Sequence, residues 1–279
     1  MTTESAFRRV GDLRADYDDQ IRTRLVAHHP ETETVEQIGP LWRKTVDGGR
    51  GFITYRDLGG LTGKRLDELI TVQRDHFAAL GSEVEWRFHD DDEPGDLRDR
   101  LSAAGFAPEA AETLMLGEAA ELAIAPRLPE SVTLRELSAT ADLERVRLVE
   151  EAVWGVDHAW LPEALAGEIA SSSDPVVVIG AEYGEDLVGA AWIRMYSGTR
   201  FAGLWGGSTM PDWRGKGVYR AMVARRAQIA LARGFDALQV DAPSTSATVL
   251  TRLGMHAVAE TVPYVWRPAQ AKIAGAQPQ

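Results

Sequence analysis

Residues 210–219, with the sequence MPDWRGKGVY, combine the residue types that bind a phosphorylated ligand. Gly215 and Gly217 let the backbone turn sharply, so that successive N–H groups at a helix N-terminus can point at one anion. The cationic side chains in and beside this turn are Arg214, Lys216 and Arg220. The segment therefore predicts a pyrophosphate site, and a glycine-rich connection with solvated arginines is the alternative interpretation.

An alternation of strands and helices surrounds this segment and would position it. Hydrophobic periodicity and turn residues define the elements. In chain order they are strand 132–137, helices 143–154 and 161–170, a hairpin of strands 176–183 and 187–196, strand 201–209, helix 218–233, strand 237–240, helix 245–253, and strands 257–260 and 263–266. This succession predicts an α/β fold in which a strand feeds directly into the glycine-rich turn.

The first half of the chain is similar in sequence to the second half. Residues 69–92 align with residues 222–245 at a constant offset of 153, which places Gly81 on Gly234. Both segments read as helix, glycine and strand. A second match, between 100–116 and 252–266, follows in the same order. The repeat predicts a tandem duplication.

The junction between the two copies is expected near residues 125–130, where the sequence APRLPE carries two prolines. A new strand follows this segment. We therefore expect one domain over residues 1–126 and a second over residues 127–279.

The order Arg214-Gly215-Lys216-Gly217 resembles the pyrophosphate loop of the GNAT acyltransferase superfamily, whose form is Gln/Arg-X-X-Gly-X-Gly/Ala between a strand and a helix. Tyr219 departs from that pattern at the last position. The resemblance extends over residues 132–266, with the elements in the family's order. It implies an α/β (α+β) fold of two tandem GNAT-like domains, each a central mixed, mostly antiparallel sheet flanked by helices.

The repeat also allows the two copies to be compared. The offset places Leu61-Thr62-Gly63-Lys64 on the loop, where the leading arginine and the glycine pair are lost. A nucleotide P-loop is excluded at this position because Arg65 stands where that motif needs Ser or Thr. We therefore expect a degenerate N-terminal copy and a C-terminal copy that binds the acyl-CoA.

The resemblance implies acetyl-CoA, or a related acyl-CoA, as co-substrate. Its pyrophosphate would lie on the amides of residues 215–219, and its pantetheine would run along strand 201–209. In the family this strand separates from the next, so that free N–H groups hold the thioester oxygen while an amine attacks directly. The implied cofactor-binding residues are Ser208, Thr209, Met210, Arg214, Gly215, Lys216, Gly217, Val218 and Tyr219.

The residues that usually serve as catalytic acid and base in the family are missing from this sequence. The tyrosine that many family members carry before the final Leu-Gly pair is replaced by Leu250, and strand 201–209 contains neither Glu nor His. The remaining candidates are Tyr219, Tyr264, Asp157 and His158. Packing is the alternative role for Tyr264, and solvation is the alternative for the Asp-His pair.

Three tryptophans, Trp154, Trp160 and Trp205, are candidates for lining an acceptor pocket, although core packing is the more common role of each.

Composition narrows the function classes. The 279 residues carry a net charge of −12, which argues against a general nucleic-acid binder, and the absence of cysteine excludes disulfides and thiolate chemistry. No metal site is expected. Without an apolar run of membrane-spanning length, we expect a cytoplasmic protein that does not bind membranes, as a monomer or homodimer. The sequence favours an N-acyltransferase acting on a small-molecule amine, with a non-catalytic acyl-CoA-binding protein as the alternative.

Overall fold

The structure is a computed structural model that describes residues 3–27, 31–124, 127–171 and 173–268. Helices and strands alternate along these residues. In chain order they are α1 (Thr3–Gln20), β1 (Glu33–Ile38), β2 (Leu41–Val46), β3 (Gly51–Tyr55), α2 (Gly63–Leu80), β4 (Val84–His89), α3 (Leu97–Ala103), β5 (Ala107–Pro108), β6 (Glu112–Glu118), α4 (Ala119–Leu122), β7 (Val132–Leu137), α5 (Thr140–Trp154), α6 (Leu161–Ala170), β8 (Val176–Tyr183), β9 (Asp186–Met195), β10 (Phe201–Thr209), α7 (Val218–Ala232), β11 (Ala237–Ala242), α8 (Ser244–Leu253) and β12 (His256–Trp266). None of these helices is long and apolar enough to cross a membrane.

The chain forms two compact units. Unit 1 comprises the described residues up to Ile21 together with Glu112–Ala259, and unit 2 comprises Arg22–Ala111 and the described residues from Glu260 onward. Each unit is a mostly antiparallel sheet flanked by helices, which is the fold class expected from the sequence.

In unit 1 the strands follow the order β6-β11-β10-β9-β8-β7, with β10 and β11 parallel and the other neighbours antiparallel. Alternate residues of β9 face opposite sides of the sheet, as the pleat of a strand requires. Ile193 belongs to the core cluster that contains Met222 of α7. Trp192 belongs to the cluster that contains Leu143 of α5 and Leu165 of α6. The sheet is therefore covered by α7 on one face and by α5 and α6 on the other.

In unit 2 the order is β1-β2-β3-β4-β12, and the parallel pair is β3 with β4. The core is built from α2 and the sheet, with Phe77 and Trp86 fully buried. A Cβ atom on Gly51 would lie 2.0 Å from the Phe77 ring, so only glycine allows this close approach.

The helix, glycine and strand expected at both positions of the repeat are present. Helices α2 and α7 are followed by glycines in the left-handed region, Gly81 at φ 67° and Gly234 at φ 85°. The strands that follow, β4 and β11, begin and end at positions separated by the same offset as the sequence repeat. Each pairs in parallel with the strand that precedes its helix, which is the arrangement of a strand-helix-strand crossover unit.

The structure divides the chain differently from the division expected at residue 126. Strand β6, from the first half of the sequence, pairs with β11 in unit 1, where Gly117 lies opposite Leu238. The end of β12, from the second half, pairs with β4 in unit 2, where Tyr264 lies opposite Trp86. Each half therefore supplies its last strand to the other unit's sheet. Residues 125 and 126 of the expected linker lie outside the described residues.

Smaller expectations about element bounds also differ from the structure, and β11, for example, ends at Ala242 rather than at residue 240. The strands expected at 257–260 and 263–266 form one strand, β12. Helix α5 begins at Thr140 rather than at residue 143, because Ala139 accepts the first hydrogen bonds of the helix, from Asp142 and Leu143.

We expect residues 127–279 produced alone to aggregate, because β11 would lose the pairing with β6 and expose a long unpaired edge. Co-expression with residues 1–126 restores the missing strands and should give a soluble complex. Size-exclusion chromatography measures both outcomes. A monomeric, folded 127–279 fragment would contradict the strand exchange.

Candidate active site

The centre of the candidate site is the place where β10 and β11 separate. Their parallel pairing is confined to Phe201 with Ala237, Ala202 with Leu238, and Gly203 with Gln239. Strand β10 continues to Thr209 and β11 to Ala242. The two strands therefore leave a wedge-shaped gap in unit 1, in which the strand edges are available to a ligand.

A tyrosine hydroxyl bridges the two strands at the closed end of this gap. Tyr196 Oη accepts hydrogen bonds from Trp205 Nε1 of β10 at 3.1 Å and from Gln239 Nε2 of β11 at 2.9 Å. Burial raises the pKa of Tyr196, so the hydroxyl remains protonated at neutral pH. A Cβ atom on Gly203 would lie 2.2 Å from this hydroxyl, which explains the glycine at the last paired position.

A β-bulge bends β10 beside the gap. The register with β9 shifts between Gly206 and Ser208, and both Gly206 (φ 62°) and Gly207 (φ 94°) have left-handed backbones. A Cβ atom on Gly206 would lie 2.3 Å from the Trp192 ring. Only glycine fits here without strain, and the bulge redirects the residues that follow it.

A buried arginine supports the bulge from the α7 side. The Arg226 side chain is 1% exposed, and its Nη1 donates to the carbonyl oxygens of Trp205 at 3.0 Å and Trp192 at 3.3 Å. Burial lowers the pKa of Arg226 to about 10, so the guanidinium is still charged at neutral pH. Arginine side chains usually lie on the solvent-exposed face of a helix. The structure instead places a positive charge directly behind the gap.

The glycine-rich turn forms the N-terminus of α7. Gly217 is the N-cap residue, with φ 90° and ψ −3°, and Gly215 has φ 73°. The Ala221 N–H donates to the Gly217 carbonyl at 3.0 Å, so the N–H groups of residues 218–220 precede the first intrahelical bond. A Cβ atom on Gly217 would lie 3.0 Å from the Arg127 carbonyl oxygen. Free N–H groups at a helix N-terminus are the kind of backbone that binds a phosphate group, and the phosphate role of this turn stays a prediction.

The side chains of the turn leave its surface cationic. Arg214 is exposed and its Nε donates to the Thr209 carbonyl at 3.2 Å. Lys216 is exposed, with Nζ 4.9 Å from the centre of the Trp213 ring. An attraction of this kind holds an ammonium group in place without neutralising it.

The end of β10 places the remaining expected cofactor residues beside the turn. Ser208 and Thr209 are buried and Met210 is half-buried. Among the described residues, nothing hydrogen-bonds to the buried Thr209 Oγ1. An unpaired buried hydroxyl is costly, so this atom is suited to a ligand. Val218 is buried under the turn, in the core cluster of α7.

Of the four expected catalytic residues, Tyr219 lies nearest the gap. Its ring is half-buried in the first turn of α7, 3.0 Å from the position of a Cβ atom on Gly207. The same Cβ position lies 3.7 Å from Arg226 Nη2, so the Tyr219 ring and the Arg226 guanidinium both border Gly207.

Asp157 and His158 lie in the loop between α5 and α6, where they form local hydrogen bonds. Asp157 Oδ1 accepts from the Ala159 N–H at 2.8 Å, and His158 Nδ1 lies 3.0 Å from the Val156 carbonyl oxygen. Asp157 is exposed and His158 half-buried. These bonds shape the loop and leave the His158 Nε2 side of the ring for other contacts.

Tyr264 belongs to the core of unit 2. It is 6% exposed on β12 and packs edge-to-face on Phe88, with ring centres 6.0 Å apart. The other three candidates belong to unit 1. These contacts favour the packing role of Tyr264.

The tryptophans depart from the core-packing interpretation. Trp154 is 53% exposed, Trp160 61% and Trp205 42%. Trp154 and Trp160 flank the loop that contains His158, and the His158 and Trp160 rings lie 6.1 Å apart. These exposures are too large for core packing, and exposed aromatic side chains suit contact with a flat or apolar ligand.

One acidic residue beside β10 was not anticipated from the sequence. Glu150 lies on α5 and is 3% exposed. Burial raises the pKa of its carboxyl group, while hydrogen bonds from Ser208 and Trp154 and the charge of His158 act in the opposite direction. The sequence feature that could have identified Glu150 is its position, because it follows Leu143 and Val146 on the buried face of the helix. A glutamate at an apolar position of an amphipathic helix indicates a special role.

No three His, Asp or Glu side chains in the described part of the chain are grouped as metal ligands.

Comparison with known proteins relates this geometry to a family. The sequence profile of the acetyltransferase (GNAT) family matches residues 142–255. The curated proteins contain no significant match to the whole sequence. Residues 142–255 include most of α5, the bulged strand, the glycine-rich turn and all of α8.

Solved structures with the same fold cover nearly the whole chain. A GCN5-related N-acetyltransferase from Kribbella flavida has a TM-score of 0.65 at 15% identity, covering 94% of this chain and 95% of its own. A tandem GNAT protein from the clavulanic acid biosynthesis pathway, solved without acetyl-CoA, has a TM-score of 0.63 at 12% identity, with 94% and 97% covered. A GCN5-related N-acetyltransferase from Sphaerobacter thermophilus has a TM-score of 0.57 at 18% identity, with 82% and 78% covered. The fold is that of GNAT proteins, including a tandem one.

We expect Gly217→Val to weaken acetyl-CoA binding at least tenfold, because the side chain strains a left-handed backbone and collides with the Arg127 carbonyl. The matched control is Gly63→Val, also at positive φ (54°) but at the first residue of α2, where affinity should be unchanged. Isothermal titration calorimetry measures both. Equal losses in the two folded variants would contradict the assignment of the cofactor loop.

Proposed function

We propose that this protein is an acyl-CoA-dependent N-acyltransferase that transfers an acetyl group directly to the amine of a small-molecule acceptor. The observation that carries the proposal is the glycine-rich N-terminus of α7 beside two strands that separate after three residue pairs. The GNAT profile match to the same segment agrees with it.

In this proposal the turn binds the pyrophosphate of acetyl-CoA. The N–H groups of residues 215–219 would hold its oxygens, and Arg214 and Lys216 would add charge from the exposed side. Each favourable charge at a helix N-terminus contributes about 0.3–1 kcal/mol. Ser208, Thr209 and Met210 would contact the pantetheine where β10 enters the turn. Binding would thus bring the thioester into the gap.

The reaction needs no protein nucleophile. Acetyl-CoA supplies an acyl group already activated as a thioester. The amine lone pair forms the N–C bond, and the C–S bond breaks with its electron pair on sulfur. The nitrogen loses a proton, and the thiolate takes up a proton. A backbone N–H aimed at the developing oxyanion contributes roughly 3–4 kcal/mol, and the buried charge of Arg226 would add a favourable potential from behind the bulge.

Tyr219 is the proposed proton donor to the thiolate, since it lies at the N-terminus of α7 against Gly207 of the bulge. Asp157 and His158 are proposed to contact the acceptor from the loop after α5. Tyr264 is left out of the chemistry because it packs in the core of unit 2.

We propose that the repeat in unit 2 has lost cofactor binding. Its equivalent turn borders a cavity of about 320 Å³ in which acidic side chains outnumber basic ones. A negative lining repels pyrophosphate. The acidic members are Asp57, Asp91, Asp92 and Glu93, and the basic members are Arg22 and Arg56. Function is thereby assigned to the second half of the sequence, completed by the strand and helix that the first half gives to unit 1.

The direct test is incubation of the purified protein with acetyl-CoA and a panel of small amines, with free CoA measured by a thiol reagent and the acetylated product by mass spectrometry. Because the protein lacks cysteine, all thiol released comes from CoA. We expect CoA release that depends on the amine. Tight acetyl-CoA binding without turnover on any amine would favour a non-catalytic acyl-CoA-binding protein, and absence of binding would overturn both.

A further inference from the structure

We infer that Glu150 is the general base that takes the proton from the acceptor amine, with the Trp154 indole covering it until the amine arrives. The inference rests on the proposed acyl transfer. It identifies a catalytic residue in unit 1 outside the Asp157-His158 loop, and it defines the class of acceptor.

Glu150 is energetically costly in its present position. The carboxyl lies between α5 and β10 on the helix face that also buries Leu143, Val146 and Val149. Its Oε1 has no hydrogen-bond partner among the described residues. A buried carboxyl with an unpaired oxygen destabilises a fold, and an apolar side chain of similar size would stabilise it. Glu150 is therefore better explained by chemistry than by packing.

The Trp154 indole N–H is a hydrogen-bond donor beside this carboxyl. Trp154 Nε1 donates to Ser208 Oγ at 2.9 Å, and the same indole N–H and Ser208 hydroxyl interact favourably with the ionised Glu150. The indole N–H is thus held at Ser208, beside the Glu150 carboxyl. An ammonium or amine N–H of an acceptor offers the same donor at the same place. Replacing the indole by the amine conserves the hydrogen bonds of Ser208 and satisfies Glu150.

The acceptor amine reaches the Glu150 carboxyl when the Trp154 indole moves aside. Trp154 is the last residue of α5, and Gly155 follows it with a left-handed backbone at φ 70°. The indole is 53% exposed, so it can turn toward solvent without disturbing the core. The single side-chain hydrogen bond to Ser208 is a weak restraint of about 0.5–1.5 kcal/mol. An arriving amine can therefore displace the indole.

The role of Glu150 accounts for the proton that the acceptor amine must lose. An alkylammonium must lose one proton before its nitrogen can attack, and Glu150 accepts that proton on its carboxylate. The lone pair then forms the N–C bond as the C–S bond breaks. The nitrogen loses its second proton to solvent, and the thiolate receives a proton from Tyr219, which is reprotonated from solvent. Glu150 returns the first proton to water after the product leaves. Burial raises the pKa of the carboxyl toward neutrality, which makes it a stronger base than an exposed glutamate.

The surroundings define the acceptor class. Next to Trp154, the exposed side chains of Val156 (58%) and Trp160 (61%) form an apolar surface. The half-buried His158 lies within the same loop. This combination fits a primary amine, protonated at neutral pH, with a flat or apolar body, such as an arylalkylamine.

The test compares Glu150→Gln with the wild type, using acetyl-CoA and 2-phenylethylamine. Glutamine keeps the shape and hydrogen-bonding capacity but cannot accept the proton. We expect kcat at pH 7.5 to fall at least 100-fold with the Kd for acetyl-CoA unchanged. With phenylhydrazine, which is already unprotonated at this pH, the loss should stay below tenfold. The matched control is Glu144→Gln on the same helix, whose half-exposed carboxylate pairs with Arg147, and activity should be unchanged.

Stability against pH separates this role from a structural one. Three groups influence the carboxyl: Trp154 on α5, Ser208 on β10 and His158 in the following loop. Because burial raises the pKa of Glu150, the Glu150 carboxyl binds a proton more tightly in the folded protein than in the unfolded chain. The stability of the fold therefore decreases as pH rises from the unfolded-state pKa through the folded-state pKa of this group. Glu150→Gln should therefore have a higher Tm than the wild type at pH 8, with the difference disappearing near pH 4. A structural glutamate would instead give a lower Tm at both.

Three outcomes are decisive. Equal kcat for the wild type and Glu150→Gln on 2-phenylethylamine would overturn the inference and leave the proposed function intact. Equal losses on 2-phenylethylamine and phenylhydrazine would also overturn it. If the wild type releases no CoA, the proposed function fails, and ligand-observed NMR of 2-phenylethylammonium with and without CoA still tests Glu150. Equal binding to both proteins would then overturn the amine site.

Discussion

The separation of β10 from β11 after three residue pairs is the constraint on which the rest of the site depends. Two parallel strands would otherwise remain paired along their length. Here the Gly206-Gly207 bulge bends β10, and Arg226 holds the carbonyl oxygen of Trp205 from behind. Tyr196 joins the strands at the closed end. The same bend lies directly before Ser208 and Thr209 and leads them into the turn before α7. Glu150, Asp157 and His158 are positioned by α5 and the loop that follows it.

Local sequence predicts the elements of this site well. Strand 201–209 and strand 132–137 have the expected bounds, because alternating side chains and turn residues act over a few positions. The glycines of the turn have the positive φ values that their types suggest. Which face of a helix carries a buried charge is harder to predict. Arg226 and Glu150 occupy core positions, and only the packed sheet shows that a bulge carbonyl and a strand hydroxyl meet them.

The division of the chain into two units cannot be predicted from local sequence, for a related reason. The repeat at an offset of 153 correctly locates corresponding helices and strands, yet it says nothing about which strand pairs with which. Pairing of β6 with β11, and of β12 with β4, depends on contacts far apart in the chain. Net charge gives a similar lesson. The chain carries −12 overall, whereas the exposed Arg214 and Lys216 make the turn before α7 locally cationic.

Amide hydrogen exchange with and without CoA examines the central claim, that the N-terminus of α7 and the gap beside β10 form one ligand site in unit 1. The N–H groups of residues 215–219 and 204–207 should exchange more slowly when CoA is present, because the ligand would occupy donors at the helix end and at the strand edge. Residues 59–63, the corresponding turn of the repeat, should exchange at an unchanged rate. Unchanged exchange at 215–219, or new protection confined to 59–63, would contradict the account.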